Sequence, residues 1–424
     1  MTNNLESITE VKDSNNNAEI KDKPSWLRDE LFEEILKKDF PKIAKITKFC
    51  VKPAVATGEN YMTVLLRVTL NVEMCNNTSK TTSYMVKVEP SSEKFRIMIK
   101  EWQVFIKERR TYGKLIPKFE EYYQLKGENV KFAPSMLEPL GTHIKEDHLI
   151  LEDLRLKGFK NFNRHLGLDV IHTQAVLKKL AQFHAASALY VDVEGPFPSL
   201  YDQCLTAAKD VFGGHRRRIG KIFRDNLRLY GDLQHLEEKL RHYAENQFDP
   251  FQLRSEKNPY EFNVLNHGDL WVNNIMFQYN DDGSLKETYF IDYQMGRYGS
   301  PAQDLLYFIL SSTSLDIKIR QFDNFISYYH QHLVENLELL NYQGKVPKLR
   351  DIHRALFKYD YWAYTTISVL SPIVLCESRD DANVDSLVNE NGDEFRQAMY
   401  SNPEYAKYMS AVIPWLNNRG AFDL

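Results

Sequence analysis

The feature of the sequence that most restricts its possible folds is a polar loop that leads directly into a predicted β-hairpin. The loop reads His267-Gly268-Asp269-Leu270-Trp271-Val272-Asn273-Asn274. Strand-like runs follow at residues 275–279 and 288–291, on either side of an Asn-Asp-Asp-Gly turn. Asn274 opens the first strand, and Asp292 comes directly after the second. Because the two open ends of a hairpin lie side by side, we predict that Asn274 and Asp292 are neighbours.

These side chains suit the chemistry of a phosphoryl group. An amide oxygen and a carboxylate oxygen are ligands for a hard cation such as Mg²⁺, which keeps its remaining positions for water and phosphate. Asp269 can accept the proton of a hydroxyl that attacks a phosphorus atom. A His-x-Asp turn and an Asp after a strand are each common, and each alone has a structural explanation as a turn or a cap. Their joint order and spacing favour a catalytic loop followed by a metal-binding hairpin.

The same residues resemble those of a known fold and family. The pattern HxDxxxxN at residues 267–274, with an Asp after the next hairpin, resembles the phosphotransferase branch of the protein-kinase-like fold. Ile-Asp-Tyr-Gln at residues 291–294 and Ser-Pro-Ala-Gln-Asp-Leu-Leu-Tyr at residues 300–307 are similar to the ecdysteroid-kinase-like family of insects. The kinase region of that family is also called CHK-like. The resemblance extends over about residues 24–424.

The resemblance implies a nucleotide site in the first part of the chain. The segment with Gly58 and Asn60 falls where the family has its nucleotide-covering loop, although it contains a single glycine. Lys87 falls on the third strand, where it is implied to hold the α- and β-phosphates. Glu152 and Leu154 fall in the linker between the lobes, and their backbone groups are implied to contact the adenine edge. A plain connector is the alternative explanation of that linker.

Lys87 needs a partner on physical grounds as well. It stands among apolar residues in a strand-like run, and a buried ammonium without a counter-charge is costly. A phosphate pair and a carboxylate on the following helix would satisfy it. Glu108 and Glu101 lie seven residues apart, and therefore on nearly the same helix face, so both are candidates. Glu108 is favoured because it matches the family pattern.

Three other polar residues near these motifs have structural interpretations. Asp304 begins an apolar run, where it would cap a helix or, as the resemblance implies, brace the catalytic loop. The cap and the brace are compatible, and both remain open. His267 and His184 are interpreted as packed, hydrogen-bonded histidines that transfer no proton.

The chain-wide pattern, together with the resemblance, predicts an α+β protein with a two-lobe protein-kinase-like fold. Residues 1–24 are rich in Asn, Ser and charged side chains and are predicted to be disordered. Residues 25–153 are predicted to form a small antiparallel β N-lobe. Residues 154–424 are predicted to form a larger, mainly helical C-lobe that contains the catalytic loop, the metal-binding hairpin and the acceptor pocket.

Within the N-lobe we predict the order strand, strand, helix, strand, strand. Strand-like runs at residues 62–72 and 82–88 flank a polar hairpin loop. A helix is predicted over residues 93–123, with an interruption at Pro117. In the C-lobe, residues 170–190 are predicted to form a long amphipathic helix.

Composition and charge argue against several other classes of function. Lys and Arg total 54 against 58 Asp and Glu, a formal net charge of −4, so the basic excess of a nucleic-acid-binding protein is missing. The four cysteines are scattered without CxxC spacing, which argues against a zinc cluster or a disulfide framework and fits a reducing compartment. The N-terminus shows no apolar leader, and no uncharged run is long enough to span a bilayer. We therefore expect a cytoplasmic protein, and a monomer, without nucleic-acid partners.

The resemblance implies ATP and Mg²⁺ as cofactors of a small-molecule kinase. Lys87, oriented by Glu108, would hold the phosphates. Asn274 and Asp292 would bind the metal, and Asp269 would be the base. The implied acceptor is an ecdysteroid or another hydroxylated lipophilic compound, such as a dietary toxin to be detoxified. Two alternatives stay open: a choline- or ethanolamine-type kinase, and a catalytically inactive carrier of a hydrophobic ligand. A protein kinase fits less well, because no APE-like segment follows Asp292.

Overall fold

The computed structural model describes most of the chain. The described residues are 23–54, 63–139, 144–202, 218–247, 258–377, 379, 386 and 392–423. The predicted disorder of residues 1–24 falls almost entirely outside them. The predicted nucleotide-covering loop with Gly58 and Asn60 also lies outside them.

An antiparallel sheet forms the centre of the N-terminal lobe. Its strands are β1 (Ile43–Pro53), β2 (Val64–Met74), β3 (Ser79–Val88), β4 (Met136–Leu137) and β5 (His148–Glu152). They are arranged in the order β1-β2-β3-β5-β4. The side chains of Leu66, Val68, Leu70 and Val72 on β2 are fully buried and share a hydrophobic cluster with helix α1 (Glu33–Asp39). The predicted hairpin of β2 and β3 is confirmed.

The predicted order of strand, strand, helix, strand, strand is wrong in one respect. β1 precedes the predicted elements and lies at the edge of the sheet. Register shifts between Ile43 and Lys45 and between Ile46 and Lys48 interrupt its pairing with β2. These bulges replace the two-residue alternation of a regular strand with an irregular burial pattern, so the sequence periodicity gives no strand signal.

Three helices lie between β3 and β4, where one interrupted helix was predicted over residues 93–123. They are α2 (Glu93–Glu101), α3 (Val104–Arg110) and α4 (Ile116–Gln124), with a π-helical turn (Thr111–Leu115) before α4. The first break lies at Gln103, whose φ of 53° is left-handed. Pro117 lies in the first turn of α4, directly after the π-helical turn, and the backbone on both sides of it is helical. The chain is therefore interrupted at Gln103 and not at Pro117.

The C-terminal lobe is mainly helical. Its helices include α5 (Val170–Glu194), α6 (Glu237–Gln247), α7 (Ala302–Ser312), α8 (Leu315–Lys318), α9 (Phe322–Leu339), α10 (Leu349–Lys358), α11 (Tyr361–Thr365), α12 (Ser371–Leu375), α13 (Asp393–Tyr400) and α14 (Pro403–Asn418). α5 lies against α9 and is buried around most of its circumference, so the predicted amphipathic character is wrong. Among the described residues, no helix combines the length and the apolar character that crossing a membrane requires.

Short strands of the C-terminal lobe carry the predicted hairpin. β6 (Lys160–Asn161), β8 (Ile275–Tyr279) and β9 (Leu285–Phe290) form one small sheet, and β7 (Val264–Asn266) pairs with β10 (Arg297–Gly299). Ile275 lies opposite Phe290 at the open end of the β8–β9 hairpin. The amide N–H of Ile291 donates to the carbonyl oxygen of Asn274 at 3.0 Å, so the pairing continues to the residue before Asp292. The predicted hairpin is confirmed.

The hydrophobic core of the second lobe extends into the helices between β3 and β4. Tyr112 and Phe119 belong to the same buried cluster as Phe183 on α5, and the Phe119 and Phe183 rings are 5.4 Å apart. A small antiparallel sheet lobe and a larger helical lobe thus make up an α+β, two-lobe protein-kinase-like fold, as predicted.

Candidate active site

Residues 267–274, here called the HGD loop, leave β7 and are held by a buried carboxylate on α7. Asp304 is fully buried. Its oxygens accept hydrogen bonds from the backbone N–H of His267 at 2.6 Å and of Gly268 at 2.9 Å. Gly268 has a φ of +82°, and a Cβ there would lie 2.1 Å from the carbonyl oxygen of Met295. Asp304 is therefore a brace for the loop, and no side-chain cap is formed at the start of α7.

His267 ties the HGD loop to the end of the hairpin. Its Nε2 lies 3.0 Å from the carbonyl oxygen of Ile291, and its Nδ1 is 3.3 Å from the backbone N–H of Asp269. Nε2 is therefore the donor and Nδ1 the acceptor, which is the pattern of a neutral ring. Burial lowers the pKa of His267. His184 is also fully buried, between the Tyr329 hydroxyl and Asp304.

Asp269 presents a carboxylate whose two oxygens are held from two directions. Its Oδ2 accepts a hydrogen bond from the side-chain amide of Asn274 at 3.0 Å. Its Oδ1 accepts one from the hydroxyl of Tyr307 on α7 at 2.5 Å. Burial, reinforced by the charge of Asp292, raises the pKa of Asp269 to about 7. Such a carboxylate is a stronger base than an ordinary aspartate and suits general-base chemistry near neutral pH.

A buried lysine joins the two lobes beside this loop. The Nζ of Lys87 on β3 lies 2.7 Å from Glu108 Oε2, 2.7 Å from Asp292 Oδ1 and 3.2 Å from Gln294 Oε1. We call these four residues the Lys87 cluster. Burial acts to lower the pKa of Lys87, but the charges of Asp292 and Glu108 outweigh burial and raise it above its ordinary value. Lys87 is thus a fixed positive charge between the lobes.

Glu108 is the carboxylate that pairs with Lys87, and Glu101 is exposed. The seven-residue spacing would place both on one face of a continuous helix, but the left-handed break at Gln103 separates α2 from α3. The other oxygen of Glu108, Oε1, is buried without a hydrogen-bond partner among the described residues. Burial raises the pKa of Glu108 to about 7.

Asp292 takes an uncommon backbone conformation that aims its carboxylate at the lysine. Its φ is 67° and its ψ is 60°, in the left-handed region that Asp and Asn tolerate better than most residues. Its backbone N–H donates to the hydroxyl of Tyr112 at 3.0 Å. Tyr112 belongs to the π-helical turn before α4, so the helices of the first lobe help to fix a residue that follows the hairpin of the second.

The donor set of Asn274 and Asp292 fits a hard divalent cation. The amide nitrogen of Asn274 is committed to Asp269, which leaves the amide oxygen as the atom that can bind a metal. One amide oxygen and one carboxylate are too few for a closed protein cage, and they suit Mg²⁺ that completes its coordination with water and phosphate oxygens. In the described part of the chain, no group of three or more His, Cys, Asp or Glu side chains could hold a metal ion.

The predicted linker lies at the end of the sheet. The backbone N–H of Glu152 donates to Ser135 O at 3.0 Å and is therefore committed within the lobe. Asp153 is buried and accepts hydrogen bonds from Arg67 and Ser83, both at 2.7 Å. Leu154 is buried in a small cluster with Phe159 and Met276. The linker is thus anchored to both lobes.

Tyr307 and Gln294 have no role predicted from the sequence, although both lie in the motifs that carry the resemblance. Tyr307 lies three residues after Asp304 and therefore near the same face of α7. Gln294 lies two residues after Asp292. These spacings from Asp304 and Asp292 are the only sequence signal for Tyr307 and Gln294. The residues that they contact, Asp269 and Lys87, are distant in the sequence.

Comparison with known proteins gives one family. The model of the ecdysteroid kinase-like family matches residues 57–342, which is more than half of the chain. That range contains the HGD loop and the whole Lys87 cluster. No curated protein matches the chain.

Proposed function

The chain belongs to the ecdysteroid kinase-like family, and from that membership we propose that it is an ATP-dependent phosphotransferase. It would move the γ-phosphate of ATP to a hydroxyl of a small lipophilic molecule. The observation that carries the proposal is the contact of Lys87 with both Glu108 and Asp292 at 2.7 Å. That contact brings a phosphate-binding charge from one lobe to a metal-binding carboxylate of the other, beside the base Asp269.

The nucleotide would be held by charges from both lobes. Lys87 binds the α- and β-phosphates, and Glu108 orients it through their buried ion pair. Asn274 and Asp292 would hold Mg²⁺, which would neutralise charge on the phosphates. We also assign Gly58 and Asn60 to the nucleotide-covering loop. The backbone at Glu152 and Leu154 is assigned to adenine, except for the N–H of Glu152, which is committed to Ser135. Family membership and the position of the linker between the lobes support these assignments.

Asp269 would act on the acceptor. The acceptor hydroxyl transfers its proton to the carboxylate of Asp269 while its oxygen forms a bond to the γ-phosphorus. The bond between that phosphorus and the β,γ-bridging oxygen breaks, and ADP leaves. The pKa of about 7 supports Asp269 as the base, because it accepts a proton more readily than an ordinary aspartate does. Positioning and charge neutralisation account for most of the expected catalysis.

For the acceptor we propose an ecdysteroid or a related hydroxylated lipophilic compound. The family description supports this class, since it names ecdysteroids. We further propose a monomeric enzyme that works in the cytoplasm, where the scattered cysteines would stay reduced. A detoxifying role follows if the acceptor is a dietary compound.

Two measurements test the proposal. The first is thermal unfolding with and without ATP and Mg²⁺, where binding at a hundredfold excess over Kd should stabilise the fold by about 2.7 kcal/mol. The second is a transfer assay with γ-labelled ATP against a panel of ecdysteroids, choline and ethanolamine. A labelled ecdysteroid supports the proposal. A labelled choline product would show that the acceptor is choline and not an ecdysteroid. The absence of both stabilisation and product refutes the enzyme in favour of a hydrophobic-ligand carrier.

A further inference from the structure

Helix α7 holds the HGD loop at two points. Asp304 in its first turn accepts hydrogen bonds from the loop backbone, at His267 and Gly268. Tyr307, three residues later, reaches the side chain of Asp269. Residues three apart on a helix lie near one face, so a single rigid element fixes both the path of the loop and the carboxylate that the loop presents.

We propose that Tyr307 is a positioning residue that fixes the carboxylate of Asp269 for the acceptor hydroxyl. The proposal rests on the proposed function. The hydroxyl of Tyr307 lies 2.5 Å from Asp269 Oδ1, and the amide of Asn274 lies 3.0 Å from Oδ2. With both oxygens held, the carboxylate cannot turn about its terminal bond. Without Tyr307, one oxygen would be released and the acceptor would meet a mobile base.

Tyr307 does not block the base. A carboxylate oxygen accepts more than one hydrogen bond, so an acceptor hydroxyl can bind Oδ1 beside the tyrosine. Burial and the nearby charge of Asp269 raise the pKa of Tyr307 well above its ordinary value. Tyr307 therefore keeps its proton and remains a hydrogen-bond donor, so only the acceptor hydroxyl transfers its proton to Asp269.

The same helix offers a matched control. At the far end of α7, the hydroxyl of Tyr408 donates to the backbone carbonyl of Leu310 at 3.0 Å. Tyr408→Phe and Tyr307→Phe delete the same atom from the same type of residue, and each removes one hydrogen bond to or from α7. Only Tyr307→Phe releases Asp269.

The first test is steady-state kinetics on the full chain with the acceptor found in the transfer assay. Tyr307→Phe should lower kcat by about ten- to a hundredfold and leave KM for ATP within about twofold, because base orientation is lost while nucleotide binding is kept. Tyr408→Phe should lower the unfolding temperature and leave kcat unchanged. Equal kcat values for the two variants would overturn the positioning role.

The second test detects the hydrogen bond between Tyr307 and Asp269 by NMR. In protein labelled with ¹³C at tyrosine Cζ, the resonance of Tyr307 is assigned by its disappearance in Tyr307→Phe. Asp269→Asn should shift that resonance and leave the Tyr408 resonance in place. If the wild type transfers phosphate but Asp269→Asn leaves the Tyr307 resonance unshifted, the positioning role of Tyr307 is refuted and the proposed function is not. A wild type that transfers no phosphate refutes the proposed function, and the role of Tyr307 falls with it.

Discussion

The HGD loop and the Lys87 cluster are neighbours, but they are held in different ways. The loop is held by hydrogen bonds with groups of its own lobe: it donates to Asp304 on α7 and to the carbonyl of Ile291, and it accepts from Tyr307 on α7. The Lys87 cluster is held by charges that come from both lobes, with Lys87 on β3 and Asp292 after the hairpin. The loop geometry is therefore set within one lobe, whereas the cluster depends on how the two lobes meet.

This difference implies different roles for the HGD loop and the Lys87 cluster. The loop can present Asp269 before any ligand arrives, because its contacts need no nucleotide. The Lys87 cluster uses the same ammonium and carboxylate that the proposed function assigns to phosphate and metal, so its contacts must be redistributed when the nucleotide binds. Changes to the brace of the loop should therefore cost fold stability, and changes to the cluster should cost phosphate transfer.

The largest effect is expected from Lys87→Met. Loss of the ammonium removes the charge that faces Glu108 and Asp292, and we expect kcat/KM to fall by roughly a thousandfold. Steady-state transfer of labelled phosphate measures it. Lys80→Met is the control, because Lys80 lies on the same strand with an exposed side chain. A kcat/KM of Lys87→Met within tenfold of the wild-type value would show that phosphate transfer does not depend on the Lys87 cluster.

Asp304→Ala should be the most damaging change to the brace. It removes the acceptor of the buried His267 N–H and of the partly buried Gly268 N–H, and each unsatisfied buried donor costs about 1–3 kcal/mol. We expect the free energy of unfolding, measured in urea, to fall by about 2–5 kcal/mol. Asp304→Asn keeps one oxygen acceptor and should lose less. Wild-type stability in Asp304→Ala would show that the loop is held by something else.

Glu108→Gln should have a smaller effect on transfer than Lys87→Met. The amide keeps an oxygen near Lys87 but removes the charge that strengthens the hydrogen bond, so we expect kcat/KM to fall about tenfold. Glu101→Gln, on the exposed side of α2, should behave as wild type. A larger loss in Glu101→Gln than in Glu108→Gln would reverse the assignment of the partner.

The sequence predicts best where contacts are local. Asn274 and Asp292 are joined by one short hairpin, so spacing alone places them side by side. β1 gave no signal, because its bulges at Ile43–Lys45 and Ile46–Lys48 destroy the alternation that identifies a strand. The pairing of Lys87 with Glu108 rather than Glu101 was open, since the break at Gln103 has no marker such as glycine or proline.

The contacts that cross the lobes were the hardest to foresee. Lys87 meets Asp292 across 205 residues of chain, and only the resemblance suggested that they share a site. Tyr307 and Tyr112 stand in ordinary helical patterns, where a tyrosine is equally suited to the core. Their partners, Asp269 and the backbone N–H of Asp292, follow from the packing of α7 and of the π-helical turn.

A pH-dependent effect on stability is expected at the far end of α7. Lys318 is buried, donates to the carbonyl of Leu310 and lies 4.7 Å from the centre of the Tyr408 ring. Burial lowers the pKa of Lys318 to about 7. Between about pH 7 and pH 10 the unfolded chain therefore takes up a proton that the folded protein lacks, so this group makes stability rise with pH.

Replacement of Lys318 by Met should remove that rise. The stability of Lys318→Met relative to wild type should fall by up to about 1.4 kcal/mol per pH unit between pH 7 and pH 10. Urea unfolding over this range measures the difference. Lys407→Met, at a lysine that is 68% exposed on α14, should run parallel to wild type. A constant difference between Lys318→Met and wild type would mean that Lys318 is charged in the folded protein.

The central claim is that Asp269 is the base of a phosphotransferase and is not itself a ligand of the nucleotide or of Mg²⁺. Single-turnover transfer from γ-labelled ATP, with Mg²⁺ present, tests this most directly in the wild type, Asp269→Asn and Asp282→Asn, the last at the exposed hairpin turn. We predict that all three gain the same thermal stability from ATP and Mg²⁺, while Asp269→Asn transfers phosphate roughly a thousandfold more slowly. Equal transfer rates in Asp269→Asn and Asp282→Asn would contradict the account.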